Sequence, residues 1–251
     1  MRLRLQRRLA RLLGVVPLGL LIVLVSSPAV AAAGLPSRSG MLTGIDVSHW
    51  QGYINWSQVR GAGVKFAFAK ATEGTKLVDA RYLGNRDRAE AAGVRIGAYH
   101  FARPDRSTND AVREANWFVD HAGLRGRHLL PVLDLESTGG LGRWALTKWV
   151  RNWLKQVESR LGVKPVIYTY PYFWLDYMGN TTWFAANGYR VLWIAHYDVR
   201  SPKVPASNWA GAGWSLWQLS DCGRVAGISG CVDIDLFNGT DLGRLVIRNN
   251  R

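Results

Sequence analysis

Eight short apolar runs, helical patterns between several of them, and the thinning of those patterns after residue 180 predict an α/β fold. The expected architecture is a single irregular TIM-like (β/α) barrel with about eight strands and fewer than eight helices. The runs are Gly44–Val47, Val64–Ala69, Val94–Tyr99, Leu130–Leu135, Pro165–Tyr168, Val191–Ala195, Trp214–Leu219 and Val232–Phe237. Most are apolar at nearly every position, as strands buried on both faces are. The clearest helix covers Arg143–Leu161. Its Leu146, Trp149, Val150, Trp153, Leu154 and Val157 trace one face, with Lys148, Arg151, Lys155 and Glu158 on the other. Arg81–Ala92 and Asn109–His121 read similarly, with Gly93 and Gly123 as stop signals. Strand and helix therefore alternate, which favours parallel pairing.

The 251 residues are 48% hydrophobic and 20% charged, which suits a sizeable core and excludes general disorder. Met1–Arg11 carries five Arg and no acid, and the apolar run Leu12–Val25 follows. Small residues then lead into Ala29-Val30-Ala31 and Ala31-Ala32-Ala33, either of which fits an A-x-A cleavage site. Residues 1–33 read as a secretory signal peptide, 34–41 as a short linker and 42–251 as one catalytic barrel domain. A transmembrane anchor is the alternative. The apolar run is short for a span of roughly 20 residues, and Pro17 interrupts it. The expected product is extracellular and monomeric, with no membrane contact once the leader is removed.

The formal charge is +14, and loss of the leader's five arginines leaves +9. Such a field favours anionic polymers: nucleic acid, acidic lipid or a charged cell wall. No helix-turn-helix, zinc-finger or RNP signature occurs, so nucleic acid is not an expected partner. Cys222 and Cys231 lie nine positions apart around a glycine-rich loop, and in an exported chain they are expected to pair. The chain-entropy relation gives such a loop roughly 2.7 kcal/mol of stabilisation.

Polar residues gather where the apolar runs break. Asp46 stands near the end of the first run; Lys70, Thr72 and Glu73 follow the second. Tyr99 and His100 end the third, Asp134 and Glu136 the fourth, Tyr168 and Tyr170 the fifth. His196 and Tyr197 close the sixth, Gln218 the seventh, and Asp233 lies within the eighth. Parallel barrels carry their active sites at these strand ends. Within Val132–Glu136, a period of two puts Val132, Asp134 and Glu136 on one face, the two acids on the order of 7 Å apart at Cα. Neighbouring buried carboxyls repel, so one keeps its proton to higher pH. A neutral acid beside an ionised partner is what glycosidic bond cleavage requires. Competing chemistries find less support. The five His are scattered without HExxH, no GxSxG or Walker-type loop occurs, and no metal or cofactor is expected. Aromatics at the same ends, among them Trp50, Tyr99, Tyr168, Trp193, Tyr197 and Trp217, offer flat apolar faces suited to sugar rings.

Several of these stretches together resemble glycoside hydrolase family 25, the Chalaropsis-type lysozymes acting as N-acetylmuramidases. They are Gly44-Ile45-Asp46-Val47-Ser48-His49-Trp50-Gln51-Gly52, Lys70-Ala71-Thr72-Glu73-Gly74, Gly97-Ala98-Tyr99-His100-Phe101 and Pro131-Val132-Leu133-Asp134-Leu135-Glu136. Trp193-Ile194-Ala195-His196-Tyr197, Trp217-Gln218 and Val232-Asp233 complete the ordered set. The resemblance implies hydrolysis of the β-1,4 bond between N-acetylmuramic acid and N-acetylglucosamine in bacterial peptidoglycan. It assigns the general acid to Glu136, the acetamido-orienting acid to Asp134, and further pocket carboxylates to Asp46 and Asp233. Lys70, Glu73, Tyr99, Tyr168, Trp193, Tyr197, Trp217 and Gln218 are expected at the substrate, and His196 departs from the family's usual residue. No wall-binding repeat follows residue 240, so wall contact is expected from the barrel and its charge, through anionic wall polymers. The alternative is a non-catalytic cell-wall polysaccharide-binding barrel, which would not need all four acids.

Overall fold

The computed structural model describes Leu35, Pro36 and Arg38–Arg248; the expected signal peptide, residues 1–33, lies outside the described residues. The chain runs β1 (Leu42–Val47), α1 (Trp56–Gly61), β2 (Phe66–Glu73), β3 (Leu77–Val78), α2 (Tyr82–Ala91), β4 (Arg95–Phe101), α3 (Asp110–Ala122) and β5 (Val132–Asp134). It continues α4 (Arg143–Leu161), β6 (Val166–Thr169), α5 (Pro171–Asp176), α6 (Trp183–Ala186), β7 (Leu192–Ala195), β8 (Leu216–Gly223) and β9 (Val232–Phe237). A further helical turn, Pro205–Ala210, has left-handed backbone from Ala206 to Trp209.

The strands hydrogen-bond in the order β1-β9-β8-β7-β6-β5-β4-β2, and pairing of β1 with β2 closes the ring; β3 folds back on β2. The barrel is therefore the expected one, with one departure from parallel pairing. β9 runs antiparallel to both β8 and β1. The reason lies in the link before it. Only eight residues separate Gly223 from Val232, and the Cys222–Cys231 bond closes even that loop. A parallel return needs a crossover of a dozen or more residues, whereas a short link makes a hairpin.

Alternation along each strand sorts side chains between two cores. Outward residues such as Ala67, Ala69, Ile167 and Ile194 meet the helices in the larger core. The six apolar positions expected on one face of α4 are all buried there. Inward residues form a second core inside the ring, built from Phe66, Phe68, Val132, Val166, Trp193, Leu216 and Phe237, with Leu129, Leu242 and Leu245 plugging its floor. Gly44 and Gly97 make room for the two phenylalanines: a Cβ on them would lie 2.3 Å from the Phe66 ring and 2.6 Å from the Phe68 ring. The floor is apolar, so polar inward positions collect at the opposite, C-terminal strand ends.

Candidate active site

Moving one inward step up each strand from that floor reaches Asp46, Lys70, Tyr99, Asp134, Tyr168 and Gln218. Together with Asp233, Trp193, Glu136 and Tyr197, they line a cavity of about 270 Å³. Trp50, 81% exposed, stands at its rim.

Four carboxyls form two pairs within this cavity. Asp134 ends β5, and Glu136 follows two residues on, within hydrogen-bonding reach. Asp134 is buried, and burial with the charge of Glu136 raises its pKa well above the ordinary range, while Lys70 pulls it back in part. Burial also raises Glu136, and its hydrogen bond to Asp134 lowers it. Burial and mutual repulsion favour the protonated form of the pair more than the ordinary carboxylate environment does. The second pair, Asp46 and Asp233, are register partners across the β1–β9 ladder. Burial raises Asp233 to about 6; burial, then the charges of Asp233 and Asp235, raise Asp46. In the ring order β5 stands diametrically opposite β9, so the pairs face each other across the cavity.

Gln218 ties the second pair to the phenols. Its Nε2 donates to Asp46 Oδ2 at 2.6 Å, and its Oε1 accepts from the hydroxyls of Tyr168 at 2.8 Å and Tyr197 at 2.6 Å. Burial raises the pKa of both tyrosines, so they remain donors. Lys70 Nζ is ion-paired with Glu73, which also accepts from Arg103 Nε at 2.7 Å. Burial would raise Glu73, but these two cations outweigh it and lower its pKa.

Not every expected residue reaches the cavity. Trp217 is 1% exposed and packs in the outer core, its Nε1 donating to the His196 carbonyl at 2.8 Å. It neighbours inward-facing Gln218 on β8, and adjacent strand residues point to opposite faces. The expectation that both meet substrate is corrected accordingly. His100 likewise faces outward, held between Thr72 Oγ1 at 2.8 Å and Glu114 Oε2 at 2.7 Å. Glu73 stands behind Lys70 and does not line the cavity. His196 accepts from the Lys203 backbone at 3.0 Å, shaping the loop after β7. One buried acid was missed. Asp235 is fully buried beneath Asp233, accepting from Trp193 Nε1 at 2.9 Å with its other oxygen unpartnered. The Asp-x-Asp alternation in β9 is the signal that could have found it. Among the described residues, no group of three or more His, Cys, Asp or Glu could hold a metal ion.

A barrel whose C-terminal mouth confronts paired carboxyls with aromatic and amide donors defines a glycoside hydrolase. The comparisons agree, and the chain belongs to glycosyl hydrolases family 25, whose model matches residues 45–228. It is 39% identical over 224 residues to lysozyme M1 of Streptomyces globisporus, covering 86% of this chain and 74% of that protein. It is 30% identical to an N,O-diacetylmuramidase of Chalaropsis, covering 76% of this chain and 95% of that one. Among solved structures, a bacterial lysozyme from Streptomyces coelicolor superposes with a TM-score of 0.75 at 39% identity, covering 83% and 96% of the two chains.

Proposed function

We propose that the protein is a secreted, monomeric muramidase cutting the β-1,4 bond between N-acetylmuramic acid and N-acetylglucosamine in peptidoglycan, with retention and assistance from the substrate. The carrying observation is the side-by-side placement of Asp134 and Glu136 on one wall of the cavity. Two acids on one side of the bond are poorly placed to activate water on the opposite face, which disfavours simple inversion. The 2-acetamido oxygen of muramic acid supplies the nucleophile. Glu136, half-buried at the mouth, gives its proton to the leaving oxygen as the bond to C1 breaks and the acetamido oxygen bonds to C1. Asp134 accepts the acetamido N–H and stabilises the positive charge that develops there, helped by Lys70, which favours its anion. Water then opens the cyclic intermediate while Glu136 takes back a proton.

On the far wall, Asp46 and Asp233 with Gln218 and the two tyrosines hold sugar hydroxyls, and Trp193 and Trp50 offer apolar ring faces. Export is supported by the leader sequence and by the Cys222–Cys231 bond, which suits an oxidising compartment. NMR of fresh digests tests the stereochemistry: the β-anomer is expected first, with no glycosyl adduct on Asp134. Initial α-anomer would sink the route, and a stable adduct would make Asp134 the nucleophile.

A further inference from the structure

The end of the barrel remote from the cavity carries a different kind of surface. Two grooves of about 810 and 710 Å³ open there, among the loops that enter β4, β5 and β6 and the terminal segment after β9. Arg125 lines both and joins them. Arg86, Arg95 and Arg127 line the first groove; Arg160, Arg244 and Arg248 line the second. Seven guanidiniums line the grooves against two lining carboxylates, Asp87 and Glu90; Arg86 pairs with Asp87 at 2.9 Å and Arg160 with Asp120 at 2.8 Å, which leaves five to share Glu90. Glu90 is shared between Arg125 at 3.6 Å, Arg127 at 3.3 Å and His128 at 2.8 Å, so it cannot neutralise both arginines.

Several of these cations are oriented without being cancelled. Arg95, Arg244 and Arg248 donate to the carbonyls of Arg127, Asn238 and Gly243 at 3.5, 2.9 and 3.4 Å, and carbonyls carry no net charge. The backbone beneath is clipped together. Arg127 N donates to Ile247 O at 3.2 Å, Ile247 N to His128 O at 2.8 Å, and Leu130 N to Leu245 O at 2.7 Å. The side chains remain available: those of Arg125 and Arg127 are 55% and 63% exposed.

We propose that this arginine-lined double groove binds a phosphodiester polymer of the bacterial wall, a polyol-phosphate chain, and tethers the enzyme with its catalytic mouth free at the other end. The proposal rests on the wall-hydrolysing function above and adds a second binding site to it. Guanidinium forks match phosphate oxygens bidentately, which favours phosphodiesters over the neutral glycan backbone. Two grooves meeting at one arginine suit a repeating anion better than a single ion. Neither groove is lined by a Trp, Tyr or Phe. That deprives a sugar or a single-stranded nucleic acid of the rings on which it would stack.

The test compares the full protein with two triple variants. Arg95→Gln/Arg127→Gln/Arg248→Gln removes three of the seven guanidiniums from the grooves, and Lys76→Gln/Lys148→Gln/Lys155→Gln removes equal charge from exposed sites elsewhere. Binding to poly(glycerol phosphate) is measured as salt rises from about 50 to about 200 mM. Retention is measured on wall sacculi before and after removal of their phosphate polymer by hydrofluoric acid. The groove variant should bind at least about tenfold more weakly with a shallower salt slope, and the control within about twofold. Retention of the wild type should drop on stripped sacculi. All three proteins should cut a short soluble muropeptide at equal rates. Should the groove variant lose its melting transition, Arg248→Gln alone carries the test, with a loss of about threefold. Equal losses in both triple variants, an unchanged groove variant, or equally tight binding of duplex DNA overturns the proposal. Failure of every protein to cut the muropeptide would instead remove the hydrolase reading, while the poly(glycerol phosphate) measurement still decides the groove.

Discussion

The two walls of the cavity each carry a pair of carboxyls, but they are built differently. On the β5 wall the pair is local: Asp134 and Glu136 are two apart on one chain, and Glu136 stands half-exposed where the strand ends. On the β9 wall the pair spans an antiparallel ladder, Asp46 opposite Asp233, with Asp235 buried below and Gln218 holding Asp46 in place. A group that must hand a proton to a substrate needs an outlet towards it, and Glu136 has one. A group locked by an amide donor is suited to fixing geometry. In the proposed mechanism this difference gives chemistry to the β5 wall and positioning to the β9 wall.

The largest expected effect separates these roles directly. Glu136→Gln should slow turnover of a soluble muropeptide by about 10²–10⁴-fold with the melting temperature unchanged. Asp233→Asn removes one charged hydrogen-bonding group from the other wall and should lower kcat/KM by about 10- to 100-fold. Steady-state kinetics on both variants decides: a greater loss at Asp233 would reverse the assignment.

How far the two walls could be read from sequence also differs. Asp134 and Glu136 were legible because they stand two apart on one continuous stretch, at and just beyond the end of β5, where a period of two predicts a shared face. The buried face of α4 was legible for the same reason at a helical period. The β9 wall depends on partners far apart in sequence: the Asp46–Asp233 pairing and the reach of Gln218 to Asp46 follow from ring order, which periodicity does not supply. The same period of two governs Trp217 and Asp235. Adjacent to Gln218, Trp217 had to face outward, and two residues beyond Asp233, Asp235 had to face in. The left-handed turn at Ala206–Trp209 carries no glycine to signal it; buried Trp209, donating to Tyr189 O at 2.9 Å, holds it through tertiary contacts.

The second prediction acts on the β9 wall alone. Cys222–Cys231 closes the hairpin two residues before Asp233. Replacing both cysteines by serine should lower stability by roughly 2.7 kcal/mol in the chain-entropy account. It should also raise KM, while the β5 wall leaves the identity of the first-released anomer unchanged. Denaturant titration and NMR of the digest check the two halves. A stable variant with an altered anomer would show that the walls are not separable in this way.

The smallest effect concerns the acid beneath the pair. Asp46, Asp134, Asp233 and Asp235 all have pKa values raised by burial, against about 3.9 in an unfolded chain. Where the folded state binds more protons than the unfolded one, stability falls as pH rises. The stability associated with these groups is therefore complete below about pH 4. It is lost as pH climbs through the folded values, with Asp233 passing at about 6. Asp235 is the most deeply placed on the β9 wall, with one oxygen on Trp193 and no counterpart of the Lys70 charge that relieves Asp134. Burial and the charge of Asp233 favour its neutral form, and an amide of the same shape imitates that form. Asp235→Asn should leave turnover at pH 6 within about twofold, since no positioned proton transfer is lost. Its melting temperature should fall less than the wild type's between pH 4 and pH 8, because one group that resists ionisation no longer titrates. Calorimetry across that range reads the slope. Parallel curves would mean that Asp235 does not contribute to the pH dependence, and a collapse of activity at pH 6 would place it in the chemistry rather than under it.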